Sequence, residues 1–218
     1  MVKSNILKLL AMRCGGGQRI DSDINDALML ELTLAQDTTI EQNGRFRPWF
    51  LVSEQATALT VPLEPRLPIP PDFLSELEAG ALYVKIPASG KYTELFRDDY
   101  DILFQEFGDS DPSIPKKYSA ENGYLRFFPT PDIVYTVRQR YYERDQAFDL
   151  VPDTGENRWM RYAADLLMAV AGEQFALKHL QNAGLAQQFA LDGQRAWDRV
   201  KRETEMRMHT NRSYQMGD

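Results

Sequence analysis

Hydrophobic positions along this chain change period more than once, and the changes divide it into regions. Behind Asp21, Ser22 and Asp23, the residues Ile24, Ala27, Leu28, Leu32 and Ala35 fall at helical spacing, with acidic side chains in the first turn. Capping residues followed by such a stripe predict a helix starting near Ser22. From Arg45 the texture turns to two short β-rich runs, FRPWFLV and TALTVPL, followed by RLPIPPDFL, whose prolines argue against regular structure there. ALYVKI from Ala81 reads as a strand, KYTELFRDDYDILFQEFG as a short helix ending at Gly108, and GDSDPSIP as a loop.

The next segment alternates. Leu125 and Phe127 alternate with Tyr124, Arg126 and Phe128; after Pro129-Thr130-Pro131-Asp132, the series Ile133, Tyr135, Val137, Gln139, Tyr141 alternates with Val134, Thr136, Arg138, Arg140, Tyr142. Period two on both sides of a proline-rich turn predicts a β-hairpin with arginines on its polar face. That face could meet solvent, an acidic neighbouring subunit or a phosphate backbone. Beyond Gly155 the period becomes helical. One helix is predicted from Asn157 to Leu180, with Trp159, Ala163, Leu166, Leu167, Val170, Ala171 and Leu177 as its stripe, and Gly184 suits a left-handed cap after it. A second is predicted from Leu185 to Met208, repeating Phe189, Ala190, Gly193, Ala196, Trp197 and Val200. The two long stripes need a common partner, so these helices are expected to pack on each other and on the amino-terminal helix. Residues 1–17, ending in three glycines, read as a flexible arm, and residues 211–218 as a polar tail.

Composition narrows the classes. A chain of 218 residues, 43% hydrophobic, can bury a proper core without staples. The single cysteine, Cys14, excludes an intramolecular disulfide, and no Cys/His cluster offers a zinc site, which fits a reducing cytosol. Lys8 interrupts the amino-terminal apolar run and Arg13 precedes Cys14, so an export signal is not expected. The apolar stretch from Ala163 to Ala171 contains Asp165 and is too short for a bilayer. Net charge is −7, and residues 1–150 carry 16 basic against 23 acidic side chains, whereas residues 151–218 carry nine of each. An acidic body argues against tight duplex binding.

Candidate chemistry is thin. His179 and His209 have no ligand-spaced companions, and the glycines at 15–17 lack the lysine and hydroxyl of a phosphate loop. The run DSDIND starts like a calcium loop but has Asp26 where glycine is needed and Leu32 where glutamate is needed. No metal site or cofactor is therefore expected. Asp98, Asp99, Asp101, Asp109 and Asp111 could pair for acid–base work, but no other catalytic group accompanies them and a solvated loop is the expectation. Arg195, Arg199, Lys201, Arg202 and Arg207 could contact nucleic acid, yet Asp198, Glu203 and Glu205 interleave with them and make a mixed, solvated face. Small residues on several sides of the first long helix, Ala164, Ala169 and Gly172 among them, allow close approach by more than one neighbour and suggest subunit packing.

The order INDAL helix, WFL, LPIPPDFL, YTELFRDDY, PKKYSAENGYLRFFPTPD, a strand ending in YY and a terminal helical pair resembles the head-to-tail adaptor, or connector, proteins of tailed bacteriophages, of the podovirus type, from about Asp21 to the end. The resemblance implies an α+β fold: a helical bundle, made of an amino-terminal helix and a long carboxy-terminal helical hairpin, carries an antiparallel β-region at about 45–145. One adaptor domain would span 18–210, followed by an extended tail. It implies a structural virion protein and not an enzyme, assembled in the host cytoplasm and located in the neck. There a ring of usually twelve copies sits below the portal, continues the DNA channel without binding DNA specifically, and receives a downstream tail or nozzle protein. A head-closure protein or other neck component is the alternative. The carboxy-terminal segment would engage the portal through Arg207, Met208, Asn211, Arg212, Tyr214 and Met216. Ala164, Ala169, Gly172, Arg138 and Arg140 would lie at subunit interfaces, the two arginines facing solvent or an acidic neighbour.

Overall fold

The computed structural model describes residues 1–15, 22–42, 46–53, 56–77, 80–108 and 110–215, with the backbone alone at 22–23, 42 and 208–215. Its helices in chain order are α1 (Lys3–Arg13), α2 (Ser22–Gln42), α3 (Tyr100–Phe107), α4 (Arg158–Tyr162), α5 (Ala164–Lys178) and α6 (Ala183–Gln215). Its strands are β1 (Ala56–Leu59), β2 (Arg66–Pro68), β3 (Phe73–Glu76), β4 (Leu82–Lys85), β5 (Tyr92–Glu94), β6 (Phe96–Arg97), β7 (Lys117–Glu121), β8 (Tyr124–Phe128), β9 (Thr136–Gln139) and β10 (Tyr141–Glu143). The fold is mixed α+β, and among the described strands no sheet closes into a barrel. Two units divide it: Met1–Leu51 with Asp145–Asp218, whose described elements are helical, and Val52–Arg144, which holds all the described strands and α3.

In the helical unit α2 starts at Ser22, as its capping residues and stripe predict, and buries Leu28, Leu32 and Ala35. Residues 3–13 correct the expectation of a flexible arm. They form α1, whose Ile6, Leu10 and Ala11 are buried, and the Lys3 Nζ donates to the carbonyls of Asp149 at 3.0 Å and Val151 at 2.9 Å. Lysine stems bury readily when the ammonium finds acceptors, so a basic residue did not mark this segment as solvated.

The first long helix is also corrected. It breaks at Ala163 (φ −139°, ψ 31°) into α4 and α5. Asn157 caps α4, its side chain accepting from the Met160 N–H at 2.9 Å, and α4 turns Trp159 and Met160 inward. α5 is buried on several sides and lies against both α2 and α6. Between α5 and α6 the left-handed residue is Gln181 (φ 50°), not Gly184, which lies inside α6; Asn182 caps α6 by accepting from the Leu185 N–H at 3.0 Å. α6 does not stop near Met208 but runs to Gln215, so residues 211–215 are helical and not extended.

Gly172 explains how closely α5 and α6 approach. A Cβ there would sit 2.5–2.7 Å from the ring of Phe189, which is itself buried. Gly172→Ala should therefore lower stability by about 1–3 kcal/mol, less the roughly 1 kcal/mol that alanine gains over glycine in a helix. Phe189→Leu in the same chain should recover most of that loss in a thermal melt.

The strand-bearing unit contains two four-stranded sheets, β1-β9-β4-β5 and β2-β8-β7-β6, and the pair β10-β3. Leu67, Tyr118, Leu125 and Phe127 of one sheet and Leu82, Val84 and Val137 of the other form one buried core with Leu95 and Tyr135. The predicted hairpin about Pro129–Asp132 does not form. β8 pairs with β7 and β2, whereas β9 pairs with β1 and β4 in the other sheet. Pro129 and Pro131 have no N–H to offer a ladder. The backbone there bonds elsewhere: Thr130 accepts from Ser113 at 2.9 Å, Pro131 from Leu63 at 2.8 Å and Tyr135 from Thr60 at 3.0 Å.

The true hairpin is β7–β8. Glu121 pairs with Tyr124 across Asn122-Gly123, whose φ values of 50° and 81° are those of a type I′ turn. Three local expectations change with it. FRPWFLV gives a 3-10 turn (Trp49–Leu51) and a single bridge from Val52 to Tyr142 instead of a strand. KYTELFR gives β5 and β6, so only α3 of that stretch is helical. RLP forms β2 despite its proline, because β2 is an edge strand and Pro68 ends it.

Candidate interaction surfaces

A cage of aromatic rings fixes the outer part of α6. Phe46 meets Trp197 edge-on at 5.2 Å, Trp49 meets Tyr162 at 4.7 Å, and Phe50 meets Trp159 at 5.1 Å. The backbone N–H of Trp49 donates to the Thr204 Oγ1 at 3.3 Å, and the Arg207 guanidinium lies 3.7 Å over the Trp49 ring. The FRPWFL segment is thus a clamp that ties α4 to α6, and the sequence signal for it was the density of aromatics at 46–50 beside tryptophans at 159 and 197. Arg207, expected at the portal, is held within the chain by Trp49 and by Glu203 at 3.3 Å. Met208, Asn211, Arg212 and Tyr214 fall on the last turns of α6 with side chains outside the described residues; Met216 lies outside them altogether, as does the side chain of His209.

The residues expected at subunit interfaces are not brought together. Ala169 and Gly172 are buried by α6 of the same chain, with Gly193 and Phe189 above them, which corrects their assignment: their small size serves packing inside the helical unit. Ala164 is half-buried at the start of α5. Arg138 does not point freely to solvent. It is half-buried in β9 with its guanidinium 4.0 Å over the Tyr92 ring, and its Nε is buried without a hydrogen-bond partner. Arg140 is half-buried, and its backbone N–H donates to the Ala81 carbonyl at 2.7 Å.

The acidic run is dispersed. Asp99 precedes α3, Asp101 sits in its first turn, and Asp98 lies 3.7 Å from the Lys117 ammonium, which Glu106 also holds at 2.8 Å. The Glu106 hydrogen bond raises the Lys117 pKa. Asp109 lies outside the described residues and Asp111 is exposed. No group of three or more potential metal ligands occurs among the described residues. His179 is exposed, stacked on Phe175 at 5.0 Å, and lies 3.6 Å from Glu31, a carboxylate of α2 only 3% exposed that Lys178 grips at 3.0 and 3.1 Å.

Burial pushes the Cys14 thiol up to about 11. The thiolate is the reactive species, so at pH 8 a maleimide or disulfide reagent should label the folded chain about 100-fold more slowly than the same chain in denaturant. Equal rates in a stopped-flow assay would show that Cys14 is accessible and solvated.

The strand-bearing unit offers an apolar surface that the pattern of positions did not reveal. Leu59, Val61 and Leu63 are exposed, and hydrogen bonds from Leu63 to Pro131 and from Thr60 to Tyr135 place them beside exposed Ile133 and Val134. Leu63 adopts φ 65°, an uncommon conformation for a branched residue. No described helix is long and apolar enough to cross a membrane.

Compared with the curated proteins, the chain shows no match. The family model described as SU10 adaptor protein matches residues 11–214, nearly the whole chain. The chain belongs to this SU10 adaptor family, a family of phage head-to-tail adaptor proteins.

Proposed function

We propose that the chain is a structural virion protein of the phage neck, forming a ring below the portal that extends the DNA channel and receives the tail. The family match over 11–214 carries this reading. The physical features accord with it. The surplus of acidic side chains in residues 1–150 would repel DNA passing through a ring instead of gripping it. The six basic residues of α6 are offset by four acidic ones, and the chain as a whole is acidic, which disfavours duplex binding. A twelve-fold ring matches the stoichiometry usual in such adaptors. The carboxy-terminal end of α6 and the residues after it, with Met208, Asn211, Arg212, Tyr214 and Met216, engage the portal, while Arg207 braces that end against Trp49. A downstream tail or nozzle protein docks on the opposite side.

Electron microscopy of the chain mixed with portal rings tests this. The expected result is added ring density coaxial with the portal at one end. Portals left bare at saturating protein would exclude the adaptor role, and density only on tails would favour a head-closure or tail component.

A further inference from the structure

The outer faces of α2 and α6 match each other. In α2, Asp26, Leu30, Leu34, Asp37 and Glu41 are all exposed and share one narrow stripe, with Leu30 55% and Leu34 44% exposed. In α6, Leu191, Arg195, Arg199, Arg202 and Met206 are exposed with the same residue spacing, Leu191 55% and Met206 63% exposed. Either set spans about 22 Å of helix at 1.5 Å per residue. One stripe combines three carboxylates with two leucines; the other combines three guanidiniums with two apolar side chains. The helices as wholes agree: α2 contains five acidic residues and no lysine or arginine, whereas α6 contains six basic and four acidic residues.

We infer that the α2 stripe of one copy docks onto the α6 stripe of the next, and that this is the contact that propagates a ring. The inference rests on the adaptor reading and deepens it by naming the surface and its occupant, a second copy of this chain. Three observations support that occupant. Exposed leucines on a helix whose opposite face is already buried have no task inside the chain. The opposed charges favour α2 against α6 and disfavour α2 against α2. Arginine stems can cover the leucines while their heads reach the carboxylates. α5 touches both helices, so the stripes belong to different surfaces of one unit, and joining them is heterologous: it builds rings or open chains instead of a closed pair. The ion pairs that these arginines already make inside the chain are compatible with this. Arg199 reaches Asp165 at 3.0 Å and Arg195 lies 3.8 Å from Asp192, both exposed pairs of the kind a new partner exchanges at little cost.

The test uses two charge swaps in the full chain, Asp26→Lys/Glu41→Lys and Arg195→Glu/Arg202→Glu, followed by sedimentation velocity alone and with portal rings. Each swap alone should weaken self-association more than about tenfold. An equimolar mixture of the two should restore it, because every joint then pairs opposite charges. If a swap lowers the melting temperature, Asp26→Asn/Glu41→Gln and Arg195→Gln/Arg202→Gln replace it, and weakened association is again expected. Association unchanged by the swaps, no recovery on mixing, or assembly ending at a dimer would overturn the inference while leaving the adaptor reading intact. A wild-type chain that stays monomeric both alone and with the portal would overturn both.

Discussion

Trp197→Ala is expected to lower stability by about 3–5 kcal/mol, the range for truncating a buried tryptophan. The indole is 7% exposed, meets Phe46 edge-on and carries the Lys201 ammonium 5.5 Å from its ring, so its removal opens a hole between α6 and the 46–50 clamp. The Nε1 is buried without a hydrogen-bond partner. That orphan donor costs free energy in the folded state, and Trp197→Phe, which removes the donor and keeps most of the ring, should cost less than about 2 kcal/mol. Denaturant melts of both variants check this. A Trp197→Ala chain that melts like the wild type would show that the clamp does not pack on α6.

Deleting Asn211 to Asp218 is expected to leave melting unchanged and to abolish co-sedimentation with portal rings. Val200 and Thr204 are the last buried side chains of α6 among those described, and 205–207 are exposed, so the deletion removes nothing from the described core. In the proposed portal contact, Tyr214 and Met216 supply the apolar side chains of an otherwise polar end. Each proposed contact is short and uses few side chains, so a single one is weak. In the proposed ring, effective concentration multiplies it, and loss of all copies together is why the expected effect is complete. A truncated chain that still decorated portals fully would move the docking surface to the folded body.

The family was legible in the sequence because it rests on the order of local motifs along the chain, and such order survives without knowledge of any contact. The start of α2, the strand at β4, the end of α3 at Gly108 and the inward faces of Trp159 and Trp197 followed from caps, period and apolarity, which act within a few residues of one another. The Asn122-Gly123 turn was legible too, since φ above zero at two successive positions suits this dipeptide; the proline-rich turn beside it drew the hairpin to the wrong place. Tertiary structure alone decided that β8 and β9 enter different sheets, because strand partners are set by long-range backbone bonds and both strands alternate equally well in either sheet. It alone decided that Lys3 and α1 are anchored, through carbonyls some 146 and 148 residues away. The small residues show the division most plainly. Ala169 and Gly172 announced a close approach in the sequence, but only the packing of Phe189 onto Gly172 identified the neighbour as α6 of the same chain, since a missing Cβ permits contact without naming the partner.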